Sequence, residues 1–142
     1  MKRILLLLAI ISIISIGTNS SLANDCSNTY KKCESPDKTF KISSSSRSIK
    51  LRKGKKARII LNAFAGKEYY FATYAKLKVG ALQFKIVSPT NNKVLYDNSA
   101  EGLRDYKVFK VENTQKLFIE VSAPNWKSNN TYECAGFLIA YR

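Results

Sequence analysis

The 142-residue chain contains no histidine. The commonest general base near neutral pH and the commonest protein metal ligand are both missing, and with them the Ser-His-Asp and Cys-His arrangements. Three scattered cysteines, Cys26, Cys33 and Cys134, fall short of the roughly four ligands of a structural zinc site. Asn91, Asn92, Asp97 and Asn98 offer hard oxygens but lack the dense Asp-x-Asp spacing of a calcium loop. Asn and Asp are also what β-turns require. Acids are scarce: ten in all, of which Glu120 and Glu133 are embedded in strong strand runs, both in the polar phase. Nothing in this inventory calls for a metal or a cofactor, and the chain reads as a non-enzyme.

A long apolar run is missing too. The longest stretch, residues 4–16, has 13 residues, against the roughly 20 that cross a bilayer as a helix. It follows Met1-Lys2-Arg3 and precedes "GTNSSLA", with Ser21 and Ala23 at small-residue positions. This is the pattern of a secretory signal peptide over residues 1–23, cut after Ala23. The expected product is secreted or periplasmic, with no transmembrane segment, and keeps 119 of the 142 residues. That length suits one domain with a modest core.

Removal of Lys2 and Arg3 lowers Lys and Arg from 24 to 22 against 10 acids, a net charge of +12. Such a charge favours anionic partners and also keeps a protein soluble. In an exported chain, three cysteines imply one disulfide and one free thiol. A Cys26–Cys33 pair would staple only the N-terminal segment. A Cys33–Cys134 pair would close a loop of about 100 residues, worth up to ~4.7 kcal/mol in the chain-entropy model. The local pair, Cys26–Cys33, is favoured because Cys134 sits in the apolar run "CAGFLIAY", where buried free thiols are common.

Residues 24–38 are polar and contain Pro36, and read as an irregular tail. From residue 39 onward, short β-type runs alternate with turn signals. "SIKL", "ARIILNAF", "ALQFKIV" and "KLFIEVSA" each place apolar residues on one face. "KVLYD" follows the turn "SPTNN", and "EYYFATYA" and "YECAGFLIAY" are more continuously apolar. Short strands recurring at such intervals predict an all-β protein. The expected form, over residues 39–142, is a single two-sheet antiparallel sandwich, jelly-roll-like, of about eight strands.

The stretch "IKLRKGKKARIILNAF" packs six basic residues between Lys50 and Arg58. Gly54 lies mid-run, where a tight turn tolerates positive φ, so the segment reads as a β-hairpin. Lys53, Lys55 and Lys56 would form its tip, with Arg58 on its outer face. These four are the candidate electrostatic ligand-binding residues, and Tyr70 and Trp126 are candidates for stacking on sugar rings. Export counts against nucleic acid. An anionic glycan or other envelope component fits better.

The residues Leu51, Gly54, Ile59, Leu82, Phe84, Leu95, Tyr96, Asp97 and Asn98 carry a strand–Gly turn–strand layout with a later aspartate-containing turn. This layout resembles, distantly, the β-sandwich of bacterial pre-peptidase C-terminal domains, and the chain looks like short exported bacterial proteins of unassigned function. The resemblance implies a sandwich fold and a non-catalytic role. Three functional classes remain: a module binding an anionic or carbohydrate partner, a protein-interaction or structural module using a sheet face or edge, and a small hydrolase.

Overall fold

Alternating apolar residues on short strands must bury one face, and here two sheets bury theirs against each other. The computed structural model describes residues 26–142, so the signal-peptide assignment lies outside the described residues. Nine strands follow in order: β1 (Lys41–Ile42), β2 (Arg47–Arg52), β3 (Ala57–Ala63), β4 (Glu68–Ala75), β5 (Gln83–Ser88), β6 (Lys93–Asp97), β7 (Tyr106–Lys110), β8 (Gln115–Ser122) and β9 (Tyr132–Tyr141). One sheet runs β1–β9–β4–β7, with β2 also paired to β9, and the other runs β3–β8–β5–β6. Every pairing is antiparallel. The protein is an all-β, two-sheet sandwich.

The core lies between the sheets. Phe71 and Phe137 from the first sheet meet at 6.0 Å between ring centroids, and Phe84 from the second meets Phe137 edge-on at 6.0 Å. Ile59, Ile86, Leu117, Ile119, Val121 and Ile139 pack around them, all at most 2 % exposed.

β4 lacks alternation for a structural reason: both of its faces are covered. Tyr69 and Phe71 enter the main core, while Tyr70 and Ala72 join Cys33, Leu138 and Ala140 in a second apolar cluster. That cluster sits under the N-terminal segment, whose short 3-10 helix Thr29–Lys32 packs on β9, β2 and β4. Its approach to β9 is close enough to require glycine at position 136.

The disulfide expectation is corrected by this packing. Cys26 bonds to Cys134, 108 residues away with the Cα atoms 5.1 Å apart, and Cys33 is the free thiol. Alternation along β9 turns Cys134 to the outer face, where the N-terminal segment lies, while the 3-10 helix carries Cys33 inward. Burial pushes the Cys33 thiol up to about 12, against backbone hydrogen bonds that pull it down.

Candidate functional site

The β-hairpin expected around Gly54 does not form. β2 pairs with β9 and β3 with β8, so residues 53–56 carry the chain from one sheet to the other. Both flanks alternate as expected, but alternation cannot say whether neighbouring strands pair or part. Gly54 still adopts positive φ, at 69°.

That crossing changes what the basic residues can do. In-register pairing of β3 and β8 sets Arg58 opposite Glu120. Arg58 Nη2 donates to Glu120 Oε1 at 2.7 Å and Lys56 Nζ to Oε2 at 2.7 Å, while the guanidinium also lies 4.6 Å from the Phe118 ring centre. The hydrogen bond from Lys56 and then that from Arg58 hold the Glu120 carboxyl below its usual range, against partial burial. Two of the four proposed cations therefore share one carboxylate. Lys53 and Lys55 remain exposed, with no carboxylate within 4.0 Å among the described residues.

Neither proposed stacking residue is available as an open platform. Tyr70 is 5 % exposed, its ring lies 5.7 Å from that of Tyr106, and its hydroxyl donates to the Glu34 carbonyl. Burial pushes that hydroxyl well above the usual tyrosine range. Trp126 packs half-buried against the main core, and its Nε1 donates to the Ser128 carbonyl. Trp126 thus covers the end of the sandwich.

The strand acids are engaged as well. Glu133, 5 % exposed, binds Lys78 Nζ at 2.6 Å, Ser128 Oγ at 2.6 Å and Asn130 Nδ2 at 2.8 Å. Burial opposes its charge, but these three partners outweigh it and the carboxyl is held below its usual range. The network ties the β4–β5 and β8–β9 loops together. The turn oxygens serve the fold in the same way. Asn91 Oδ1 accepts from the Lys93 amide, Asp97 caps the 3-10 helix Asn98–Glu101, and buried Asn98 bonds three backbone groups. Among the described residues, no group of three or more Cys, Asp or Glu side chains is placed to hold a metal ion, and no helix is long and apolar enough to cross a membrane.

A group of exposed apolar residues lies elsewhere. At the seam where β1 and β3 face each other across the sandwich, a groove of about 350 Å³ opens. Ile42, Ile60 and Phe64, exposed by 58 %, 54 % and 58 %, line it, with Leu61, Tyr69 and Lys67. β3 is a sheet edge: β8 flanks it on one side and no strand on the other among the described residues. The sequence did carry a signal for this site. Ile60 is apolar in the outward phase of a strand whose inward residues are Ala57, Ile59, Leu61 and Ala63. Its sharing a groove with Ile42 needed the tertiary structure, since residues 43–59, with β2 and the crossing between the sheets, separate them.

No protein-family model matches the chain, and no curated protein matches it significantly. Among solved structures, the chain is similar to PliG of Aeromonas hydrophila, a periplasmic lysozyme inhibitor of g-type lysozyme, with 13 % sequence identity over 76 % of this chain and 90 % of that one, and a TM-score of 0.44.

Proposed function

We propose that this chain is an exported, non-catalytic binding module that engages a partner protein at the seam between β1 and β3. One observation carries the reading: three apolar side chains, contributed by both sheets and each more than half exposed, converge on a single groove beside a strand edge left unpaired among the described residues. Isolated exposed apolar residues are ordinary, but clustered ones mark interaction surfaces. An open edge offers backbone hydrogen bonds to an added strand, and neighbouring pockets select its side chains.

The occupant that fits is an extended protein segment with alternating apolar residues and some acids. Its apolar side chains would enter between Ile42, Ile60 and Phe64. Its acids would meet Lys67 and a strongly basic surface. A carbohydrate partner has weaker support at the sites first expected, because Tyr70 and Trp126 are packed and Lys56 and Arg58 are bound to Glu120.

The test uses a photoreactive residue in place of Ile60 in the host envelope, followed by measured binding of the purified crosslinked protein in high salt. Ile42→Ser/Ile60→Ser/Phe64→Ser should weaken that binding by at least about tenfold, as expected for loss of central apolar anchors, without lowering the melting temperature. Unchanged affinity of the triple variant rejects the seam as the interface.

A further inference from the structure

We infer that the outer face of the first sheet, beside the Cys26–Cys134 disulfide, binds an anionic polysaccharide. Pairing of β2 with β9 places Arg52 opposite Tyr132 and Lys50 opposite Cys134, all on one face. Lys50 Nζ lies 5.1 Å and Arg52 Cζ 5.8 Å from the centre of the Tyr132 ring, which is 41 % exposed. Beyond Cys134 a cleft of about 200 Å³ is lined by Asn28, Lys32, Tyr74 and Lys76, and Lys32 Nζ lies 5.9 Å from the Tyr74 ring centre.

Two cation–tyrosine clusters, one around Tyr132 and one at Tyr74, thus flank the disulfide. Among the described residues, no carboxylate lies within 4.0 Å of Lys32, Lys50, Arg52 or Lys76. This is the arrangement that Lys56 and Arg58 lack. Like charges gathered without a counter-ion repel, and exposed cation–ring contacts offset only a small part of that repulsion. The residual positive potential attracts anions.

Two separated cation–ring clusters suit a repeating ligand better than a single phosphate. An acidic sugar presents a carboxylate or sulfate to the ammonium and guanidinium groups, and an apolar ring face to tyrosine. The surface shares no lining residue with the seam groove, so the inference stands independently of the protein-binding reading. The nearby residue suited to enter a lipid surface is Leu77, 95 % exposed next to Lys76, and the experiment addresses it directly.

Binding of the purified exported protein to heparin and to polygalacturonate is measured for the wild type, for Lys50→Gln/Arg52→Gln/Lys76→Gln, and for Lys38→Gln/Lys93→Gln/Lys116→Gln as a control of equal charge. At fixed salt the first triple variant should weaken binding by roughly tenfold or more and the control by less than about threefold, a separation that uniform surface charge would not produce. Tyr132→Leu, which changes no charge, should weaken binding by about threefold through loss of the aromatic face that the sugar ring meets. Melting temperatures establish that each variant is folded. Equal losses in the two triple variants, or no binding of either polysaccharide, overturn the inference. So does preferential binding to phosphatidylglycerol vesicles that Leu77→Ser abolishes, which would assign the surface to lipid.

Discussion

Gly136 and Thr29 approach so closely that a Cβ added to the glycine would lie 2.6 Å from the Thr29 carbonyl oxygen, with the Tyr30 Cα at 2.7 Å. Gly136 is therefore the contact that seats the N-terminal segment on β9. Gly136→Ala should lift that segment and cost about 1–3 kcal/mol, the usual range for overpacking a fitted contact. The cost should shrink in a Cys26→Ser/Cys134→Ser background, where the segment is free to move away. Chemical denaturation of the four proteins checks this. An equal cost in both backgrounds would mean that the strain is not at the segment.

The disulfide closes a long loop, so its loss acts mainly on the unfolded chain. Replacing Cys26 and Cys134 together by serine should cost about 2–5 kcal/mol. Cys33, buried and with its thiol pushed up to about 12, stays protonated at pH 8 and out of reach of reagents. Native protein should show no thiol reactive towards an aromatic disulfide, and denatured unreduced protein should show one. A rapidly reacting native thiol contradicts the burial of Cys33.

Acid should destabilise the fold through its bound carboxylates. Glu133 is held low by Lys78, Ser128 and Asn130 against burial, and Asp97 by Gln83, Ser99 and Lys85, again against burial. A folded-state pKa below the unfolded value gives stability that is fully present above the unfolded pKa, about 4 for these groups. That stability is lost as pH falls through the folded value. The melting temperature should be nearly flat from neutrality to about pH 5 and then fall steeply. Glu133→Gln should be less stable than wild type at pH 7, and the gap should narrow towards pH 3. A gap that stays constant with pH would show that the charge of Glu133 contributes nothing.

Asn98 is fully buried and braces three backbone groups. Its Oδ1 accepts from the Phe84 amide at 2.9 Å, and its Nδ2 donates to the Leu82 and Arg104 carbonyls, both at 2.9 Å. Asn98→Ala leaves these groups unpaired and should cost about 3 kcal/mol or more, since each buried unsatisfied group costs about 1–3 kcal/mol. Asn98→Asp keeps the acceptor, removes both donors and buries a charge, so it should be no milder. Denaturant midpoints decide, and a loss below about 1 kcal/mol would place this side chain outside the bracing described.

The sequence alone determined the strands, because alternation is a local property with period two. Leu82, Phe84 and Ile86 face inward, as their spacing requires. "KVLYD", "EYYFATYA" and "YECAGFLIAY" form strands at the boundaries read from sequence. The basic stretch shows where such information stops. Its residues alternate as expected, yet Leu51 and Ile59 belong to different sheets.

Partners depend on which strands meet. Glu120 takes Lys56 and Arg58 only because β8 lies beside β3. Ile42 joins Ile60 and Phe64 only because two sheet edges face one another. Lys50 and Arg52 converge on Tyr132, some eighty residues later, only because β2 pairs with β9. Burial of one face is written in neighbouring residues. Charge neutralisation, the disulfide partner and the shape of a groove arise from contacts between distant ones, and these the tertiary structure decided.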